Sequence, residues 1–240
     1  MHKFQALSVI TFTLLFSLVS SAQNMKENAG STVKVHHLLK DMAVGEFENA
    51  AWAQAQDVSI ANYWSGESAP AGRHFDARLL WSDGFLYIRF EANQAEPLIV
   101  SEKPDITAKT KGLWDRDVCE VFLAPNRSMR NKYFEFEVAP TGEWIDVGIT
   151  VTPKKRLSDW EYDSKMQSAA KIGDKRVVMS MKIPWTAFGK TPKVGDVWLG
   201  NLFRCVGKDP TRGYLSWRPT NTKQAAFHVP KAFGEFHFVK

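Results

Sequence analysis

From residue 77 onward apolar and polar positions alternate along the chain with a period of two, interrupted at intervals by Gly, Pro and Asp. In 77–92, ARLLWSDGFLYIRFEA, two β-rich runs flank Ser82-Asp83-Gly84, a hairpin signature. In the second run Phe85, Tyr87 and Arg89 alternate with Leu86, Ile88 and Phe90, which predicts one buried and one mixed face. In 133–151 Glu135 and Glu137 alternate with Phe134, Phe136 and Val138, and the chain turns at Pro140-Thr141-Gly142. A third hairpin is predicted over 168–183, turning at Gly173-Asp174. Further strands are expected from Val118 on and within 196–206, 213–217 and 234–239, with Val33–Val35 a short first strand. Helical signals are thin: one turn from Pro184 to Phe188, and a loop or single turn within 45–58. About ten strands joined by short Gly/Pro/Asp turns predict an all-β fold, an antiparallel β-sandwich with little helix.

The N-terminus breaks this pattern. His2 and Lys3 precede an apolar run from Phe4 to Val19, and Ser20 and Ala22 stand where a signal peptidase reads small residues. Residues 1–22 are therefore expected to be a secretory signal peptide, giving a secreted or periplasmic protein. The run is short for a spanning helix, so no membrane association is expected after cleavage. Residues 23–40 read as a polar tail with the first strand near its end, and 41–240 as one sandwich domain, a length that can bury a substantial core.

Composition narrows the function classes. The net charge is +5, but Lys and Arg are scattered among carboxylates. The densest basic run, Lys154-Lys155-Arg156, follows Pro153 and reads as a solvated loop, so no nucleic-acid partner is expected. Cys119 and Cys205 are too few for a disulfide scaffold; two buried thiols or one bridge both remain open. Gly189-Lys190-Thr191 has Pro184 where a phosphate loop needs its first glycine, and no histidine pair has zinc-ligand spacing. A haem-binding sandwich would need a Met/His axial pair, and Met129, Met179 and Met181 have no evident partner. Carboxylates are harder to set aside. Glycoside hydrolysis needs two of them flanking the scissile bond, and Asp117, Glu120, Glu135 and Glu137 are brought near one another if their strands pair. Against that, Glu135 and Glu137 also read as the solvated face of their strand.

The stretch LWDRDVCEVFLAP, 113–125, places an indole and three carboxylates at the head of a strand and inside it. With YFEFEVAPTGEWID, KIPW, GDVWLGNLFR, YLSWRP and FHVPKAFGEFHF, in that order, it resembles a family 9 carbohydrate-binding module, and more narrowly the stand-alone family 9-like domains. The resemblance runs from about residue 41 to the C-terminus. It implies a non-catalytic β-sandwich that grips glucan or xylan ends, as in cellulose or xylan, between two tryptophans, in the context of polysaccharide catabolism. It implies no required cofactor, with structural calcium in some members, and an oligosaccharide or polysaccharide partner alongside a separate glycoside hydrolase. Carried over by position, Trp114 and Trp217 are the two tryptophans, Glu120 a hydroxyl acceptor, and Arg204 stands near the family's glutamine. The family's arginine and asparagine on the middle strand are replaced by Glu135 and Glu137. Asp117 reads as a loop hydrogen-bonding residue or an ion ligand, and His228 as structural. The alternative reading is a small glycoside hydrolase using a carboxylate pair.

Two indoles suit a sugar because a pyranose face carries axial C–H bonds. Covering on the order of 100 Å² of such surface contributes roughly 2 kcal/mol before ordering costs. Trp81, Trp185 and Trp198 lie within strand patterns or at strand ends and read as core.

Overall fold

Each of the three hairpins forms where its turn residues put it. In chain order the strands are β1 (Thr32–His37), β2 (Val58–Ile60), β3 (Phe75–Trp81), β4 (Phe85–Asn93), β5 (Val118–Ala124), β6 (Lys132–Val138), β7 (Trp144–Val151), β8 (Arg156–Asp159), β9 (Gln167–Ile172), β10 (Arg176–Pro184), β11 (Val197–Val206), β12 (Gly213–Ser216) and β13 (Gly234–Val239). The computed structural model describes residues 30–240, so the expected signal peptide and residues 23–29 of the 23–40 tail lie outside the described residues. Among the described residues helix is confined to short 3₁₀ turns, including Ala50–Gln54 and Trp185–Phe188, where single turns were expected.

The strands form one curled sheet in the order β8-β7-β6-β5-β11-β13-β1-β3-β4-β10-β9, with β12 added beside β11 and β2 beside β3. β1 runs parallel to β3, pairing His36 with Leu80, so the sheet is mixed. The curl brings the two halves of the sheet face to face. Between them lie Leu79, Ile88, Phe90, Met179 and Met181 from one half and Val121, Leu123, Phe136, Leu202 and Val206 from the other. Trp81, Trp185 and Trp198 are buried in this layer. The fold is thus the all-β sandwich that the alternation predicts.

Two features differ from expectation. Arg156, read as part of a loop, begins β8, which pairs with β7 in the register Gly148 to Asp159. As the sheet's last strand it is largely exposed and carries no apolar alternation, so the pattern that marks the other strands is missing. The second difference concerns β6. Its glutamates do not face solvent: Glu135 is 6% exposed and Glu137 is fully buried. The outer face of β5, β6, β7 and β11 is itself a second apolar layer, of Phe122, Tyr133, Val147 and Phe203, covered by Phe227 and Phe233 from the C-terminal loop. Period two reports a change of face, not which face is wet.

Candidate functional site

The loop-covered outer face holds the site. Register decides which side chains reach it. On β5, Glu120 and Phe122 point outward while Cys119 and Val121 point into the inter-sheet core. Glu120 pairs with Glu137 and Phe122 with Glu135 across β5–β6, so the three glutamates share one face. Their carboxylate oxygens approach within 4.8 Å of one another.

Above them is a cavity of about 350 Å³, within the size range of small-ligand sites. It is lined on one side by Trp114 and Trp160, on its floor by Glu120, Glu135 and Phe122, and on the other side by Phe227 and His228. The indoles of Trp114 and Trp160 lie with centroids 6.0 Å apart and planes tilted by 36°. At that separation they touch and form one wall, leaving no room for a sugar ring between them.

Local structure explains why Trp114 is available. Gly112, at φ 81°, starts a 3₁₀ turn over Leu113–Asp115, a conformation that favours glycine. Leu113 is fully buried and anchors the turn, which leaves Trp114 37% exposed. Arg212 holds the turn from outside, donating to the carbonyls of Trp114 (2.6 Å), Arg116 (2.7 Å) and Gly207 (2.6 Å). Trp160 follows β8 directly. Lys109 fastens this segment, its Nζ lying 2.5 Å from Asp146 Oδ1 and donating to the carbonyls of Trp160 (3.3 Å) and Tyr162.

The floor is electrostatically unusual. Burial, then the charge of Glu135, pushes the Glu120 carboxyl up to about 8. Burial raises Glu135 as well, and burial with the two neighbouring carboxylates raises Glu137 well above the usual range. Cys205 Sγ donates to Glu120 Oε1 at 3.3 Å. Both oxygens of Glu137 are buried, and their one side-chain partner is the neighbouring carboxyl of Glu135. His228 Nδ1 and the Tyr133 hydroxyl share a hydrogen bond of 2.7 Å, and burial lowers the imidazole to about 3, so His228 is neutral.

Of the residues singled out in the sequence, Trp114, Glu120, Glu135 and Glu137 come together here. Asp117, Arg204 and Trp217 do not. Asp117 accepts from the Gly207 (2.7 Å) and Ile99 (3.3 Å) N–H groups and from Gln94, which ties both ends of the β4–β5 connection to the β11–β12 loop. Arg204 points to the opposite face from Cys205 and donates to the carbonyls of Arg73 and Asn93, both at 2.7 Å, and to Gln94 Oε1 at 2.6 Å. Trp217 packs on Phe236 at the edge of the inter-sheet core. The cause is parity: β12 aligns Tyr214 with Cys205, so Tyr214 lines the cavity and Trp217, three residues on, falls on the other side. The same parity keeps Cys119 and Cys205 apart as buried free thiols, although Cys119 pairs with Arg204 next door.

Sequence reasoning missed Trp160, Tyr214, Arg156 and Phe227. Trp160 carried a usable signal, since Asp159 and Glu161 flank it much as charged residues flank Trp114. No helix among the described residues is long and apolar enough to cross a membrane.

Comparison with known proteins bears on this site. Residues 44–240 match the family model described as carbohydrate family 9 binding domain-like. A search of curated protein sequences found no match. Among solved structures, a "putative carbohydrate-binding protein" from Bacteroides uniformis ATCC 8492 superposes with a TM-score of 0.69 at 17% identity, over 87% of this chain and 99% of that one. A family 9 carbohydrate-binding module from Caldicellulosiruptor kristjanssonii in complex with cellotriose gives 0.62 at 15% identity, over 87% and 93%. The module from that organism in complex with glucose gives 0.61 at 14%, over 86% and 95%. At these identities the structural likeness is one of fold.

Proposed function

The chain belongs to the carbohydrate family 9 binding domain-like family, and from that premise we propose that it binds a sugar in the Trp114–Trp160 cavity without cleaving it. The observation that carries the reading is the joined indole wall standing beside buried carboxyls in a concave site. An indole covers the apolar face of a pyranose, and the carboxyls of Glu120 and Glu135 accept from or donate to its hydroxyls. Trp114 and Trp160 replace the Trp114–Trp217 pair as the aromatic contact, and Arg204 acts as a buried support for the loops. Glucan and xylan ends are the first ligands to try, in keeping with a protein that acts in polysaccharide breakdown beside a separate glycoside hydrolase.

Calorimetric titration of residues 23–240 with cello- and xylo-oligosaccharides tests this. Binding in the micromolar to millimolar range is expected, with Trp114→Ala and Trp160→Ala each weakening it by about tenfold or more, the loss of roughly one stacking contact. Undiminished affinity in both variants would remove the cavity as the site, and release of reducing sugar would make the protein a hydrolase.

Export is part of the proposal. The apolar segment 4–19 and the small residues before Gln23 support removal of residues 1–22. The mass of the protein recovered from the periplasm or medium of an expressing cell is expected to correspond to a chain starting at Gln23. A mass that includes Met1 would refute it.

A further inference from the structure

The floor of the cavity carries more acceptor capacity than a neutral sugar uses. Three carboxyls from two adjacent strands converge within 4.8 Å: Glu120 and Glu135 line the cavity, and Glu137 is fully buried beneath them with no side-chain partner but the carboxyl of Glu135. A buried polar group without a partner is costly to keep. A sugar hydroxyl has one proton to donate and satisfies one of the three. A primary ammonium has three. With N···O contacts of about 2.8 Å and tetrahedral angles, its three acceptors stand about 4.6 Å apart. The carboxylate oxygens lie within 4.8 Å of one another, so one ammonium can reach more than one of them.

Resting on the carbohydrate reading above, we propose that the cavity selects pyranosides bearing a free primary amine, of the glucosamine type, with the ammonium seated on Glu120 and Glu135, above the buried Glu137. The ring then lies against Trp114 and Trp160, so the same residue of the ligand meets both the aromatic wall and the acidic floor. The surrounding charges allow this. Asp115 adds a further negative charge at the cavity wall. Arg156 lines the cavity from the exposed edge strand, and Arg212 is committed to three backbone carbonyls. His228 is neutral, and Cys205, Tyr133 and Tyr214 hold their protons. A divalent cation suits the site less well. Calcium takes six to eight oxygens, and apart from the triad the groups nearest the floor are the rings of Phe122 and Phe227, the Cys205 thiol and the neutral His228 imidazole.

Because the empty triad holds protons, seating an ammonium there must expel them, and this distinguishes amine capture from ordinary hydroxyl binding. Residues 23–240 are titrated at pH 7 with the β-1,4-linked glucosamine disaccharide, its N,N′-diacetyl form and cellobiose, in two buffers of different ionisation enthalpy, and with calcium chloride alone. The amine is expected to bind at least tenfold more tightly than the other two sugars and to release one proton or more, while the neutral sugars release none. Glu137→Gln is expected to bring the amine-to-cellobiose ratio to near one. Because a ratio is read, partial loss of stability in that variant does not mimic the effect. Equal or tighter binding of cellobiose by the unmodified protein overturns the amine proposal and leaves the carbohydrate reading standing. Micromolar calcium binding that excludes the amine overturns it in favour of a metal site. Failure of every sugar to bind overturns both.

Discussion

Lys109→Met is expected to lower stability by about 3–5 kcal/mol, the usual cost of leaving one partner of a buried ion pair alone. Asp146 sits fully buried on β7, its Oδ1 2.5 Å from Lys109 Nζ and its Oδ2 accepting the Ser164 N–H at 2.7 Å. The same ammonium donates to the carbonyls of Asp146, Trp160 and Tyr162. It therefore fastens the segment that carries one indole of the cavity to the strand beneath it. Methionine keeps the apolar stem and removes every one of these bonds. Urea melts measure the stability loss, and sugar titration of the folded variant is expected to show weakened affinity because Trp160 loses its tether. Lys109→Met/Asp146→Asn removes the orphaned charge while keeping an acceptor for Ser164, and is expected to recover part of the stability but not the affinity. A single variant as stable as the parent would show that Lys109 does not hold this segment.

That tether was invisible in the sequence, and the reason is general to the site. Lys109 lies in a loop, and its partners are 37 to 53 residues away with no periodic signature. The hairpins were legible because each depends on a local signal: Ser82-Asp83-Gly84, Pro140-Thr141-Gly142 and Gly173-Asp174 fix where the chain reverses. Glu120, Glu135 and Glu137 were legible as a possible cluster because strand pairing follows from the hairpin. Their burial was not, since it depends on a C-terminal loop about 90 residues downstream folding over them. Arg204 and Trp217 illustrate the sharper limit. Arg204 lies on β11 and Trp217 just after β12, and the pleat sends both to one face and Cys205 and Tyr214 to the other. A position carried over from a resemblance does not carry the face of its side chain with it. Trp160 was overlooked because it follows a strand whose own pattern is masked at the sheet edge.

The same buried triad sets the second large effect, a loss of stability of the ligand-free protein as pH rises from about 6.5 to 8. In the unfolded chain the three glutamates ionise near 4.5. In the folded protein Glu120 keeps its proton up to about 8, and Glu137 is also raised well above its usual value. Between these limits the folded state binds more protons than the unfolded one, so raising the pH favours unfolding. Each retained proton costs about 1.4 kcal/mol per pH unit in that interval. His228 works in the opposite sense below its unfolded value of 6.5: folded, it stays neutral down to about 3, so stability is lost as pH falls through that range. The two slopes oppose one another between 4.5 and 6.5, and only the carboxyl slope remains above 6.5. Thermal melts are expected to show Tm falling by several degrees between pH 6.5 and 8, given about 2–4 °C per kcal/mol for a domain of this size. Glu137→Gln removes one of the raised carboxyls, so its curve is expected to be flatter. A melt that stays level or rises across this interval would mean that the carboxyls ionise in the folded state at ordinary pH. An ammonium ligand supplies the countercharge that lets them do so. Its stabilising effect is therefore expected to grow with pH over the same range, as the empty site becomes harder to maintain.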